Sequence, residues 1–211
     1  MNPSRAGHIR ARRETMRRSP PSKSAPVGSV LPERCGLARL TATVGATATA
    51  GSMLVAGAVR VAMGAPVRER LGYTFRGVPA RLDVAIGIFA HNLRAILGVF
   101  GLLLVAQIAS RATGGAGRAQ RVTIMVGEGI LVGVASANVL VVGAAVGAYG
   151  PRMVRAVLPH GPIELAAYSL ALGLYLQGRR RALPAAHVAK VAAISGALLA
   201  LAAALETFVT V

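Results

Sequence analysis

The chain alternates between long apolar runs and short, arginine-bearing links. Runs over about 40–63, 84–108, 122–148, 159–177 and 188–209 are almost free of charge, and each approaches or exceeds the roughly 20 residues an α-helix needs to cross a bilayer. Strand-like alternation is missing from them, so a closed barrel is excluded. Helices are the other architecture that satisfies its own backbone groups in lipid. The pattern predicts an all-α, polytopic transmembrane helical bundle of about five spans. In the third run Gly129 pairs with Gly133, and Gly143 with Gly147, at GxxxG spacing, which favours close helix approach. After Gly150-Pro151, a short segment carries Arg152 and Arg155 on one face and Met153, Val154, Val157 and Leu158 largely on the other, as an interfacial or re-entrant piece does.

Charge sharpens this picture. Of 211 residues 54% are apolar, and the formal net charge is +17, a value that alone points to nucleic acid or an anionic surface. Its placement points to membrane topology instead. Residues 1–36 hold Arg5, Arg10, Arg12, Arg13, Arg17, Arg18, Lys23 and Arg34 among Pro20, Pro21, Pro26 and Pro32. Such a stretch buries little and is expected to be a disordered basic cytoplasmic tail lying against anionic lipid, followed by a transmembrane domain over 37–211. Basic clusters at 110–121 and 179–190 fall on the tail's side, so the balance of Lys and Arg predicts a multi-pass protein of the cell membrane with its N-terminus inside and its C-terminus outside. The link 64–83 runs against that balance, because it places Arg68, Arg70, Arg76 and Arg81 outside; with Leu71, Tyr73 and Phe75 interleaved it is expected on the membrane surface. Trp is absent and aromatics are scarce, so no base-stacking platform exists and nucleic acid is excluded as a partner. The lone Cys35 excludes an internal disulfide.

Polar side chains inside the runs are costly in lipid and therefore informative. Counted at about 1.5 Å per residue, His91 and Asn92 fall in the outer third of the second span, Asn138 in the outer third of the third, and His160 and Glu164 in the outer third of the fourth. His160 and Glu164 are four apart and share a helix face. Three readings of this polar cluster compete. It is a hydrogen-bonded knot that fixes helix packing, a site that binds or conducts a solute, ion or lipid headgroup, or a metal or catalytic centre built on His160, Glu164 and His91. Arg94, near mid-bilayer, and Glu128, toward the cytoplasmic side, are expected to form a buried ion pair.

Enzyme signatures are otherwise missing. Gly114-Gly115-Ala116-Gly117 lacks the Lys and the strand of a phosphate-binding loop, no His-Glu-x-x-His occurs, and there is no nucleophile elbow. The expectation is a non-enzymatic protein with no catalytic residues, no cofactor and no metal.

Leu158-Pro159-His160-Gly161-Pro162-Ile163-Glu164-Leu165 resembles the Pro-His-Gly-x-x-Glu signature of the stage II sporulation protein M family, with Pro159, His160, Gly161 and Glu164 as the matching positions. Ala171-Leu172-Gly173-Leu174 is similar to the end of the same helix in that family. Phe89-Ala90-His91-Asn92-Leu93-Arg94 resembles its Asn-Asn pair with His91 in the first place, and Gly127-Glu128-Gly129-Ile130-Leu131-Val132-Gly133 resembles its Asn-Gly-x-x-x-Gly run with Glu128 in the Asn place. The likeness covers about residues 84–180 and is that of a divergent member. It implies an integral membrane scaffold that positions envelope or peptidoglycan-remodelling proteins, with the lipid bilayer, membrane or cell-wall proteins, and further copies of the chain as partners. The rival from the polar cluster alone is a transporter or permease-like subunit.

Overall fold

The computed structural model describes residues 30–75, 77–111 and 117–209. They form α1 (Val30–Ala62), α2 (Gly64–Leu71), α3 (Leu82–Arg111), α4 (Arg118–Tyr149), α5 (Pro151–Val157), α6 (Gly161–Gly178) and α7 (Ala185–Phe208). Residues 1–29 of the expected basic tail lie outside the described residues, and from Val30 onward the chain is already helical. The glycine-rich 112–116 likewise lies outside them.

Among the described residues four helices, α1, α3, α4 and α7, contain segments long and apolar enough to cross a membrane: Gly36–Ala62, Leu82–Ala109, Arg118–Tyr149 and Ala185–Phe208. The fifth expected run, 159–177, becomes α6, which is 18 residues long; Glu164, Ser169, Tyr168, Tyr175 and Gln177 dilute its apolar character, yet it runs alongside α3 from the level of Asn92 to that of Gln107. Helix α6 is the centre of the bundle. It packs against α1, α3 and α7, and Ala167 and Leu174 on it are 0% exposed, as are Ser195 and Leu199 on α7. Ile96 and Leu103 on α3 complete this core. A helix enclosed by other helices need not match lipid along its whole surface, so polar groups are tolerated along it.

Contacts fix the relative directions. Gly36, Thr41 and Gly45 of α1 lie against Gln177, Gly173 and Ser169 of α6 in that order, so the two run antiparallel. Asn92 and Gln107 of α3 meet Glu164 and Gly178 of α6, so those two run parallel. Helix α4 is antiparallel to α3, since Gly143 and Gly147 lie against Ser52 and Ala56 of α1 in the same order and α4 therefore runs with α1. The start of α1 therefore shares one end of the bundle with the links bearing Arg111, Arg118, Arg121 and Arg179-Arg180-Arg181, while α2 and α5 cover the other.

The two GxxxG pairs have different fates. A Cβ on Gly143 would lie 2.6 Å from the Ser52 carbonyl, and one on Gly147 would lie 2.5 Å from that of Ala56. This pair lets α1 and α4 touch backbone to backbone. Gly129 and Gly133 meet nothing within 4 Å and face outward. Large apolar side chains dominate the outer surface, with Leu54, Val61, Leu97, Leu104, Ile130 and Val132 all exposed. A surface of that kind belongs in hydrocarbon. The chain is a multi-pass integral membrane protein.

Candidate functional site

Polar joints hold α6 at both ends. At the end covered by α5, the Asn92 side-chain amide donates to Glu164 Oε1 at 2.5 Å, and the Tyr168 hydroxyl donates to the Asn92 carbonyl at 3.4 Å. The Glu206 carboxylate near the end of α7 lies within electrostatic reach of Glu164. The local sequence builds this corner. Pro159 and His160 turn the chain out of α5, and the His160 carbonyl accepts from the backbone of Ile163 and Glu164. Gly161 leaves room for Val157, which a Cβ there would strike. Glu164 falls in the first turn of α6, where a carboxylate suits the positive end of the helix.

Of the five side chains grouped by depth, the structure brings together only Asn92 and Glu164. His160 is half-buried and makes no side-chain cap bond. His91 is exposed. Asn138 is exposed on α4 and donates to Val134 of its own helix at 3.0 Å. A similar depth does not set azimuth, because each residue along a helix turns the side chain by about 100°. Among the described residues no three His, Cys, Asp or Glu side chains converge. Tyr168 and Glu206 were missed; Glu206 could have been found as an acid at the same depth on the last helix.

The other end of α6 carries a second joint, and it replaces the ion pair expected between Arg94 and Glu128. Glu128 Oε1 is 2.8 Å from Arg179 Nε and accepts from the Tyr175 hydroxyl at 2.6 Å. Gly127, next to Glu128, faces Leu102 of α3, eight residues beyond Arg94 on the same helix. That separates the two groups by about 12 Å along the bundle at 1.5 Å per residue, beyond the reach of one arginine. Beside this joint the Gln107 amide donates to the carbonyls of Gly178 (2.5 Å) and Arg181 (3.0 Å), and its oxygen accepts from the Leu183 N–H at 2.9 Å. Gln107 thus closes the link between α6 and α7. The hydroxyls of Thr41, Ser169 and Ser195 are buried with no hydrogen-bond partner among the described residues. Thr41 and Ser169 sit opposite Gly173 and Gly45, where small side chains permit close packing.

An aromatic and basic cluster covers the α2/α5 end. The Tyr73, Phe75 and Tyr149 rings meet at 5.1–6.4 Å between centroids. Arg68 lies 5.9 Å from the Tyr149 ring and Arg152 lies 5.4 Å from Phe75. Arg68 also donates twice to the Ala148 carbonyl, at 3.1 and 2.8 Å, and the Tyr149 hydroxyl donates to the Arg68 carbonyl at 2.9 Å. Together these residues line an open cavity of about 460 Å³. Rings with polar tips beside arginines are the composition of a membrane–water interface, in keeping with the surface position expected for this link.

Compared with protein-family models, curated proteins and solved structures, the chain matches none.

Proposed function

We propose that this protein is a non-enzymatic scaffold of the cell membrane that positions envelope or peptidoglycan-remodelling proteins, with its N-terminus in the cytoplasm. The observation that carries this reading is the use of the interior polar groups. Asn92 with Glu164, Glu128 with Tyr175 and Arg179, and Gln107 with the α6–α7 link all join helix to helix around a filled core. Joints of this kind serve rigidity, which is what a platform for other proteins requires. The likeness of Pro159-His160-Gly161-Pro162-Ile163-Glu164 to the stage II sporulation protein M signature supports the same reading, and the basic clusters sharing one end with the start of α1 support the orientation. Co-purification from mild detergent is expected to recover a defined membrane or cell-wall protein. Repeated recovery of the chain alone, at native expression level, would reject the scaffold.

A second reading is favoured by one observation. Glu164, held by Asn92, lies within electrostatic reach of Glu206, and carboxylates within membrane depth mark ion or solute sites in transporters. Flux measured in reconstituted vesicles separates the two. A scaffold passes no solute in either the native protein or Glu164→Gln, whereas a permease loses its flux in the variant.

A further inference from the structure

Arg94 is the residue that the fold leaves without an explanation. It lies 12 residues from Leu82 and 17 from Arg111 on α3, about 18 Å and 25 Å from the helix ends at 1.5 Å per residue, and so deep in a hydrocarbon layer about 30 Å thick. Its side chain is exposed, and among the described residues it makes neither an ion pair nor a side-chain hydrogen bond. Among the described residues the carboxylates are placed elsewhere. Asp83 holds Arg81, Glu128 holds Arg179, Glu164 holds Asn92, Glu206 lies within electrostatic reach of Glu164, and Glu69 lines the interfacial cavity. An arginine facing lipid at this depth is strongly unfavourable.

The face around it has the shape of a helix seam. Gly87, His91, Arg94, Gly98 and Gly101 follow one another at alternating spacings of four and three, and all five are exposed. That is the period of a packed helix pair. A Cβ on Gly87, Gly98 or Gly101 would meet nothing within 4 Å, so a second helix can approach α3 there as closely as α1 approaches α4 at Gly143 and Gly147. Two observations of different kind, an unpaired cation and an open small-residue seam, coincide on one stripe.

We infer that this face of α3 docks a transmembrane helix of a different polypeptide that carries an aspartate or glutamate at the depth of Arg94. Charge selects that occupant. A symmetric pairing of α3 with α3 in a second copy would bring two Arg94 guanidinium groups together at one depth, whereas a carboxylate accepts both arms of the guanidinium fork. The inference rests on the scaffold reading and gives its partner a chemistry.

The test uses the full-length protein, dye-labelled and reconstituted in lipid vesicles. The probe is a synthetic leucine-alanine transmembrane peptide of roughly 21 residues with one glutamate at its midpoint, read by energy transfer against the same peptide with glutamine there. The glutamate peptide should bind about tenfold more tightly, a factor worth 1.4 kcal/mol. Arg94→Gln should abolish the preference and Arg94→Glu should transfer it to a midpoint-lysine peptide. Gly98→Leu should weaken binding of both peptides while the melting temperature stays unchanged. Equal binding of the two peptides, or a preference that survives Arg94→Gln, overturns the inference. Copies that cross-link to each other through Gly98→Cys in a Cys35→Ser background overturn it in favour of self-association. If cellular partners co-purify undiminished with Arg94→Glu, the docking face falls and the scaffold stands. If no partner co-purifies while the peptide preference holds, the scaffold falls and the docking chemistry stands.

Discussion

Asn92 and Glu164 stand 72 residues apart in sequence and share a 2.5 Å hydrogen bond across the α3–α6 interface. A carboxylate at that depth stays tolerable when a donor meets it, and the donor comes from the helix that runs parallel to its own. The bond is therefore a register mark, because sliding either helix by one turn, about 5.4 Å, would separate the two groups.

Coupling across that bond is expected to be measurable. Asn92→Ala and Glu164→Ala should each destabilise the protein, while the double variant should be less destabilised than their sum, with an interaction of about 1 kcal/mol. Denaturant unfolding in mixed micelles reads the cycle. Strict additivity would mean that the bond carries no net energy.

At the opposite joint, Tyr175 and Arg179 both reach Glu128, but with unequal weight. Tyr175 is 3% exposed, whereas the Arg179 side chain is 55% exposed and its pairing is screened by water and salt. Tyr175→Phe should cost about 1.5–3 kcal/mol, the range for a hydrogen bond to a charged group. Arg179→Gln should cost less than about 1 kcal/mol. The order of the two unfolding midpoints is the check, and the reverse order would contradict the burial argument.

The two glycine pairs of α4 provide a matched comparison. Gly147→Ala puts a methyl against the Ala56 backbone, which cannot withdraw, and should destabilise by about 1–3 kcal/mol. Gly129→Ala meets open space and should be neutral or stabilising by up to about 1 kcal/mol through helix propensity. Thermal unfolding of the two variants in the same detergent decides it.

Gln107 satisfies three backbone groups of the α6–α7 link at once. Gln107→Leu fills the same volume but leaves the Gly178 carbonyl and the Leu183 N–H unmet, at about 1–3 kcal/mol for each buried group. The expected signature is local: protease cleavage after Arg179, Arg180 or Arg181 should accelerate while the rest of the bundle stays intact. An unchanged cleavage rate would show that water replaces the side chain there.

Several of these features were legible in the residues and others were not. The α1, α3, α4 and α7 positions follow from run length, and the turn around Gly150-Pro151 follows from a glycine at φ 59° and a proline that begins α5. Asn92 and Glu164 were grouped correctly from depth. His91 and Asn138 were grouped with them wrongly, since equal depth says nothing about which way a side chain faces. Arg94 was matched to Glu128 because both were unpaired charges within spans, and the true partners of Glu128 lay in a tyrosine and in an arginine assigned to a link.

Hydropathy along the chain determined by itself that this protein is helical and lives in a membrane, because transfer into hydrocarbon is a sum over consecutive residues and needs no knowledge of their neighbours. Tertiary structure alone decided that 159–177 is an enclosed central helix, that Gly143 and Gly147 are covered while Gly129 and Gly133 are open, and that Arg94 faces outward. Those outcomes depend on the rotation and contact of one helix against another. In a bilayer, where lipid and side chain are equally apolar, that choice is made by close packing and by a few hydrogen bonds between residues far apart in sequence.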